Sequence, residues 1–94
     1  MLFRSNLRFA ASELKKVNLR LLIEPINTFD IPRFYLSRTA QAIEIMDEVG
    51  ADNLYLQYDI YHAQRMEGEL TNTIQKYLPH IAHIQLAEIG RAHV

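Results

Sequence analysis

The apolar pattern of this chain passes three times from a helical period to a strand-like one, and that alternation restricts its fold more than any single residue does. Leu7, Ala10, Ala11 and Leu14 recur at helical spacing among Arg8, Glu13, Lys15 and Lys16, predicting an amphipathic helix that ends near Lys16 and Val17. Residues 19–24 form a nearly continuous apolar run, the pattern of a parallel strand buried on both faces, and Pro25 stops it. Residues 26–36 read as a long loop after that strand. Ser37 or Thr39 can cap a second helix with Ala42, Ile45, Met46 and Val49 as its buried stripe and Gly50 at its end. Leu54 to Tyr58 alternate in polarity, predicting a strand that ends at Asp59. Period two sets Tyr55, Gln57 and Asp59 on one face, and Leu54, Leu56 and Tyr58 on the other. A second loop is expected over residues 60–68. A third helix is expected over 69–78, with Leu70, Ile74, Tyr77 and Leu78 inward and Pro79 closing it. The last strand spans 82–87, with His83, Gln85 and Ala87 on one face.

Helices alternating with strands imply a parallel sheet with right-handed crossovers. A doubly wound open sheet and an arc of a barrel both satisfy that order. All three strands carry polar residues near their carboxyl ends, which favours the barrel, whose catalytic groups collect at that mouth. No glycine-rich phosphate loop supports a nucleotide-binding doubly wound fold. The expected fold class is therefore α/β: a partial (β/α)₈ TIM barrel of three parallel strands with three helices. A whole barrel needs about 250 residues, and the chain has 94.

A formal net charge of −1 offers no electrostatic case for nucleic acid or an anionic membrane as partner. No apolar run approaches the ~20 residues that span a bilayer, and Arg4 and Arg8 bracket no signal-like stretch. The default compartment is the cytoplasm. With no cysteine, any metal must be held by Asp, Glu, His or Gln.

Glu24 ends the first strand, Asp59 the second, and Gln85 lies near the end of the third. Neighbouring strands are ~4.8 Å apart, so these three oxygen-bearing side chains can converge on one ion. Two carboxylates and an amide carbonyl suit Mg²⁺ or Mn²⁺ better than zinc. Each residue also has a plainer role open to it. Glu24 before a proline can be structural, Asp59 can cap a turn, Gln85 and His83 can be a buried pair, and His62 can be a surface histidine.

The segments Leu22-Ile23-Glu24-Pro25-Ile26-Asn27 and Gln57-Tyr58-Asp59-Ile60-Tyr61-His62-Ala63-Gln64-Arg65-Met66-Glu67-Gly68-Glu69-Leu70 closely resemble the hydroxypyruvate isomerases, a family of the xylose-isomerase-like barrel superfamily. The resemblance spans roughly residues 6–87 and places them at about strands five to seven of the parent barrel. It implies that Glu24, Asp59 and Gln85 are ligands of a divalent metal, with Glu24 also a proton-transfer residue. A fourth ligand, a Glu paired with Glu24 in acid–base work, is expected on the eighth strand, beyond this chain. His62 looks like the histidine that related epimerases and isomerases turn toward substrate oxygens. The implied reaction interconverts hydroxypyruvate and tartronate semialdehyde through a metal-stabilised enediol, so the implied partner is a small hydroxy-carbonyl acid. A 2-oxo-tetronate isomerase or another sugar isomerase of the group is the nearest alternative. A metal-dependent endonuclease acting on abasic DNA is disfavoured by the neutral charge, and a non-enzymatic interaction module is the most distant reading.

The two ends break the resemblance. Residues 89–94 translate ATC GGA AGA GCA CAC GTC, and Leu2 to Ser5 translate CTC TTC CGA TCT, both matching common sequencing adapters. The expectation is that the family segment covers residues 6–88, with 1–5 and 89–94 adapter-derived, so Arg91 and His93 receive no role. Codons unlike those adapters in the source nucleotide sequence would refute it. A three-stranded arc leaves two unpaired strand edges. The segment by itself is therefore expected to self-associate or aggregate and to lack turnover.

Overall fold

In the computed structural model, which describes residues 2–32 and 35–86, three parallel strands lie in the order β1-β2-β3. They are β1 (Leu21–Ile23), β2 (Leu54–Asp59) and β3 (Ile81–Gln85). Helix α1 (Leu2–Lys16) precedes β1, and α2 (Thr39–Val49) joins β1 to β2. Between β2 and β3 come α3 (Ile60–Met66), α4 (Leu70–Tyr77) and a 3₁₀ turn over Leu78–His80. The α/β class and the parallel sheet agree with the sequence reading. Among the described residues, four α-helices stand where three were expected. The tail at 89–94 and the expected end of the last strand at Ala87 lie outside the described residues.

Registers pair Leu21 with Leu54 and Ile23 with Leu56 on one side of β2, and Asp59 with Gln85 on the other. The core lies between the sheet and the helices that cover it. Leu54, Leu56 and Tyr58 from β2 pack there with Ala42, Ile45, Met46 and Val49 of α2, joined by Leu7, Ile23, Leu36 and Ala63. The α2 stripe falls where its helical spacing placed it. Gly50 ends that helix at φ +71°, its N–H donating to the Met46 carbonyl, a conformation that costs a side chain about 1–2 kcal/mol.

β1 departs from its expectation. Only Ile23 of its three residues is buried, and Leu22 is exposed. Helices cover one face of this sheet, so a run of consecutive apolar residues must leave alternate side chains on the other.

Residues 60–68, expected as a loop, are mostly the helix α3. The Asp59 side chain caps it, accepting from the N–H groups of Tyr61 at 2.9 Å and His62 at 3.3 Å. Seven residues are too few to show an amphipathic stripe, so the cap is the only local signal. Gly68 and Glu69, both at positive φ, then turn the chain into α4. That helix buries no residue fully, although Leu70 and Ile74 pack against the core. Leu78, expected to face inward, is exposed, because it belongs to the 3₁₀ turn that Pro79 helps to form.

The cap of α2 was also misplaced. Arg38 occupies the N-cap position without a side-chain bond, and the acceptor comes from Glu67. The Glu67 carboxylate takes the Thr39 N–H at 2.7 Å and the Thr39 hydroxyl at 3.0 Å. Glu67→Ala is expected to cost about 1–2 kcal/mol, the usual loss for a helix cap. A fall in the urea midpoint would report it, and Glu67→Gln, which keeps an acceptor, is expected to lose less. No described helix is long and apolar enough to cross a membrane.

Candidate functional site

The carboxyl ends of β1 and β2 deliver the two carboxylates. Glu24 follows directly on β1, Asp59 closes β2, and α3 starts at once, so His62 sits one helical turn beyond Asp59. One ligand atom from each of Glu24, Asp59 and His62 lies within 4.8 Å of the others. Asp59 and His62 are buried, and Glu24 is partly so.

Asp59 divides its two oxygens. Oδ1 accepts the capping bonds of α3, while Oδ2 lies 3.8 Å from His62 Nε2. The carboxylate that caps α3 therefore also lies in the cluster with Glu24 and His62. A short helix on the strand end requires this: the carboxylate that satisfies its first N–H groups also projects at the sheet's rim.

Gln85 stands beside Asp59 in the β2–β3 register, and its Oε1 accepts from Gln57 Nε2 at 3.0 Å. The fold thus brings Glu24, Asp59 and His62 together and sets Gln85 on the adjoining strand. His62 is not the surface residue its loop position suggested.

Residues given no role from the sequence surround His62. Asn27, fully buried, donates its main-chain N–H to His62 Nδ1 at 3.1 Å. Its Oδ1 accepts from the Asp30 N–H at 2.8 Å, a local turn that Asn followed three residues later by Asp could have signalled. Asp30 Oδ2 accepts the Tyr61 hydroxyl at 2.6 Å, and the Arg65 guanidinium lies over the Phe29 and Tyr61 rings. These contacts tie the loop after β1 to α3.

The Tyr61 hydroxyl, then the Asn27 amide, and to a smaller degree the Arg65 charge hold the Asp30 carboxyl below its usual range. A depressed carboxyl contributes stability that is fully present above its unfolded pKa of 3.8 and lost as pH falls through the folded value. Asp30→Asn is therefore expected to flatten the acid limb of the stability–pH curve below about pH 4, as measured by urea titration at stepped pH. An unchanged acid limb would refute it. Burial, with the Glu67 charge, pushes the Tyr58 phenol up, and the Thr73 hydroxyl partly offsets this.

A model of the xylose isomerase-like TIM barrel family matches residues 1–93. The hydroxypyruvate isomerase of Escherichia coli K12 is 58% identical over 83 residues, 88% of this chain and 32% of that protein. A 2-oxo-tetronate isomerase of Cupriavidus necator is 40% identical over 91 residues, 97% of this chain and 35% of its own length. The chain thus spans about a third of the curated relatives it matches. Among solved structures, one titled as an AP endonuclease of family 2 from Brucella melitensis superposes with a TM-score of 0.89 at 34% identity. It covers 93% of this chain and 34% of that one. An apo 3-keto-D-glucoside 4-epimerase from E. coli shares the fold alone, with a TM-score of 0.82 at 19% identity over 94% of this chain and 33% of its own.

Proposed function

Since the chain belongs to the xylose isomerase-like TIM barrel family, we propose that it supplies the metal-binding and proton-transfer part of a hydroxypyruvate isomerase. The observation that carries this is the meeting of Glu24 and Asp59 at adjoining strand ends, with His62 against them. The 58% identity to the E. coli enzyme supports the substrate class.

Glu24 and Asp59, with Gln85 beside them, are an oxygen donor set that fits a hard divalent cation such as Mg²⁺ or Mn²⁺. Such an ion, when bound, supplies Lewis-acid stabilisation of negative charge on substrate oxygens. Glu24 is one of two proton-transfer carboxylates. A proton leaves C3 of hydroxypyruvate to give an enediolate, a proton passes from the C3 oxygen to the C2 oxygen, and a proton returns at C2 to yield tartronate semialdehyde. His62 steadies a substrate oxygen, and Asp59 holds α3, and with it His62, at the strand end. The second carboxylate comes from outside this chain, so residues 2–86 alone are expected to show no turnover.

A chimera tests the proposal. Residues 6–86 replace the matched third of the E. coli enzyme, and conversion of hydroxypyruvate is followed with Mg²⁺ and after chelation. Metal-dependent turnover near that of the parent enzyme is expected. A folded chimera without turnover would refute the reading. Preference for a 2-oxo-tetronate substrate over hydroxypyruvate would favour the C. necator relative's activity instead.

A further inference from the structure

Two N–H groups of Asn27 converge on a single nitrogen of His62. The main-chain N–H donates to Nδ1 at 3.1 Å, and the side-chain Nδ2 lies 2.7 Å from the same atom. A main-chain amide can only donate, so Nδ1 is the acceptor of the ring. The Asn27 amide is oriented by the same rule. Its Oδ1 takes the main-chain N–H of Asp30 at 2.8 Å, which turns Nδ2 toward the imidazole. Arg65 Nε is a second donor on the Oδ1 side at 3.4 Å, and Asp30 Oδ2 accepts from Nδ2 at 3.3 Å. Asn27 has no exposed surface and His62 very little, so water competes poorly for either group. A neutral imidazole that accepts at Nδ1 carries its proton on Nε2.

We propose that Asn27 is a positioning residue whose two donors lock His62 as its Nε2–H tautomer, making it a hydrogen-bond donor in the site and not a metal ligand. Ligation through Nε2 requires the proton on Nδ1, where it would oppose both donors of Asn27. Of the three clustered residues, Glu24 and Asp59 then remain as ligands. The Nε2–H edge faces Asp59 Oδ2 at 3.8 Å, in the cluster with Glu24, where it can donate to a substrate oxygen. That use of the donor rests on the isomerase reading, whereas the tautomer rests on the contacts alone.

Histidine-labelled chain (¹⁵N), held at mildly alkaline pH so that the imidazoles are neutral, is examined by two-bond ¹H–¹⁵N correlation. The His62 signals are identified by their loss in His62→Gln. Expected for the folded wild type is a pyridine-type Nδ1 and a pyrrole-type Nε2 in one population, displaced from the averaged shifts of the same residue in urea. Asn27→Ala keeps the main-chain donor and is expected to keep the tautomer. Asn27→Asp, which sets an acceptor against Nδ1, is expected to raise the Nδ1–H population. A wild-type Nδ1–H signal, or averaged shifts equal to those in urea, would overturn the proposal. The spectrum is independent of turnover, so an inactive chimera and a wrong tautomer are distinguishable failures.

Discussion

In the chimeric barrel, Glu24→Gln is expected to lower kcat by about 10²–10⁴-fold, the usual contribution of one positioned acid–base group. The amide is nearly the same size as the carboxylate, so stability is expected to change little while the proton acceptor is lost. Asp59 permits a sharper separation of roles. Asp59→Asn keeps a side-chain oxygen for the Tyr61 and His62 N–H groups, and Asn caps about as well as Asp. It removes the charge available to a cation, so Mn²⁺ affinity is expected to fall while the urea midpoint holds. Asp59→Ala removes both, and is expected to add a loss of about 1–2 kcal/mol in stability. Full turnover by Glu24→Gln would take Glu24 out of the proton transfer. Undiminished Mn²⁺ binding by Asp59→Asn would take Asp59 out of the metal site.

The largest expected effect on stability is Ile45→Ala. Ile45 has no exposed surface and sits in the α2 stripe that packs with Leu54, Leu56 and Tyr58 of β2. Truncating a buried isoleucine costs about 2–5 kcal/mol, the range reflecting how far neighbours close the cavity. A chain of 94 residues has roughly 5–14 kcal/mol in total. Two strand edges without partners among the described residues put this sheet toward the lower end. Ile45→Ala is therefore expected to leave a substantial unfolded population without denaturant, seen as lost far-UV ellipticity at 25 °C. Ile45→Val, which deletes one methylene, is expected to cost about 0.5–1.5 kcal/mol and stay folded. Equal stability of the two variants would show that α2 does not anchor the core.

Local pattern carried β2 and α2 because each is long enough to show its period. The alternation of Leu54 to Tyr58 and the Ala42, Ile45, Met46, Val49 stripe both translate directly into burial. α3 escaped because a two-turn helix has no stripe to read, although the Asp59 cap was visible. β1 shows the opposite failure: an apolar run reports that a strand exists but not how many of its faces are covered.

The sequence by itself determined the three strands and the helices α1, α2 and α4 that alternate with them, the parallel sheet, and the carboxylates Glu24 and Asp59 at strand ends. Those follow from period, turn chemistry and residue type, all properties of contiguous segments. Only the tertiary structure decided that Asn27 meets His62 across 35 residues and that Glu67 caps α2 from 28 residues away. Such pairings depend on where packing sets two distant segments, and no spacing along the chain encodes that distance. Asp59 belongs to both accounts: its place at the strand end is local, and its company is not.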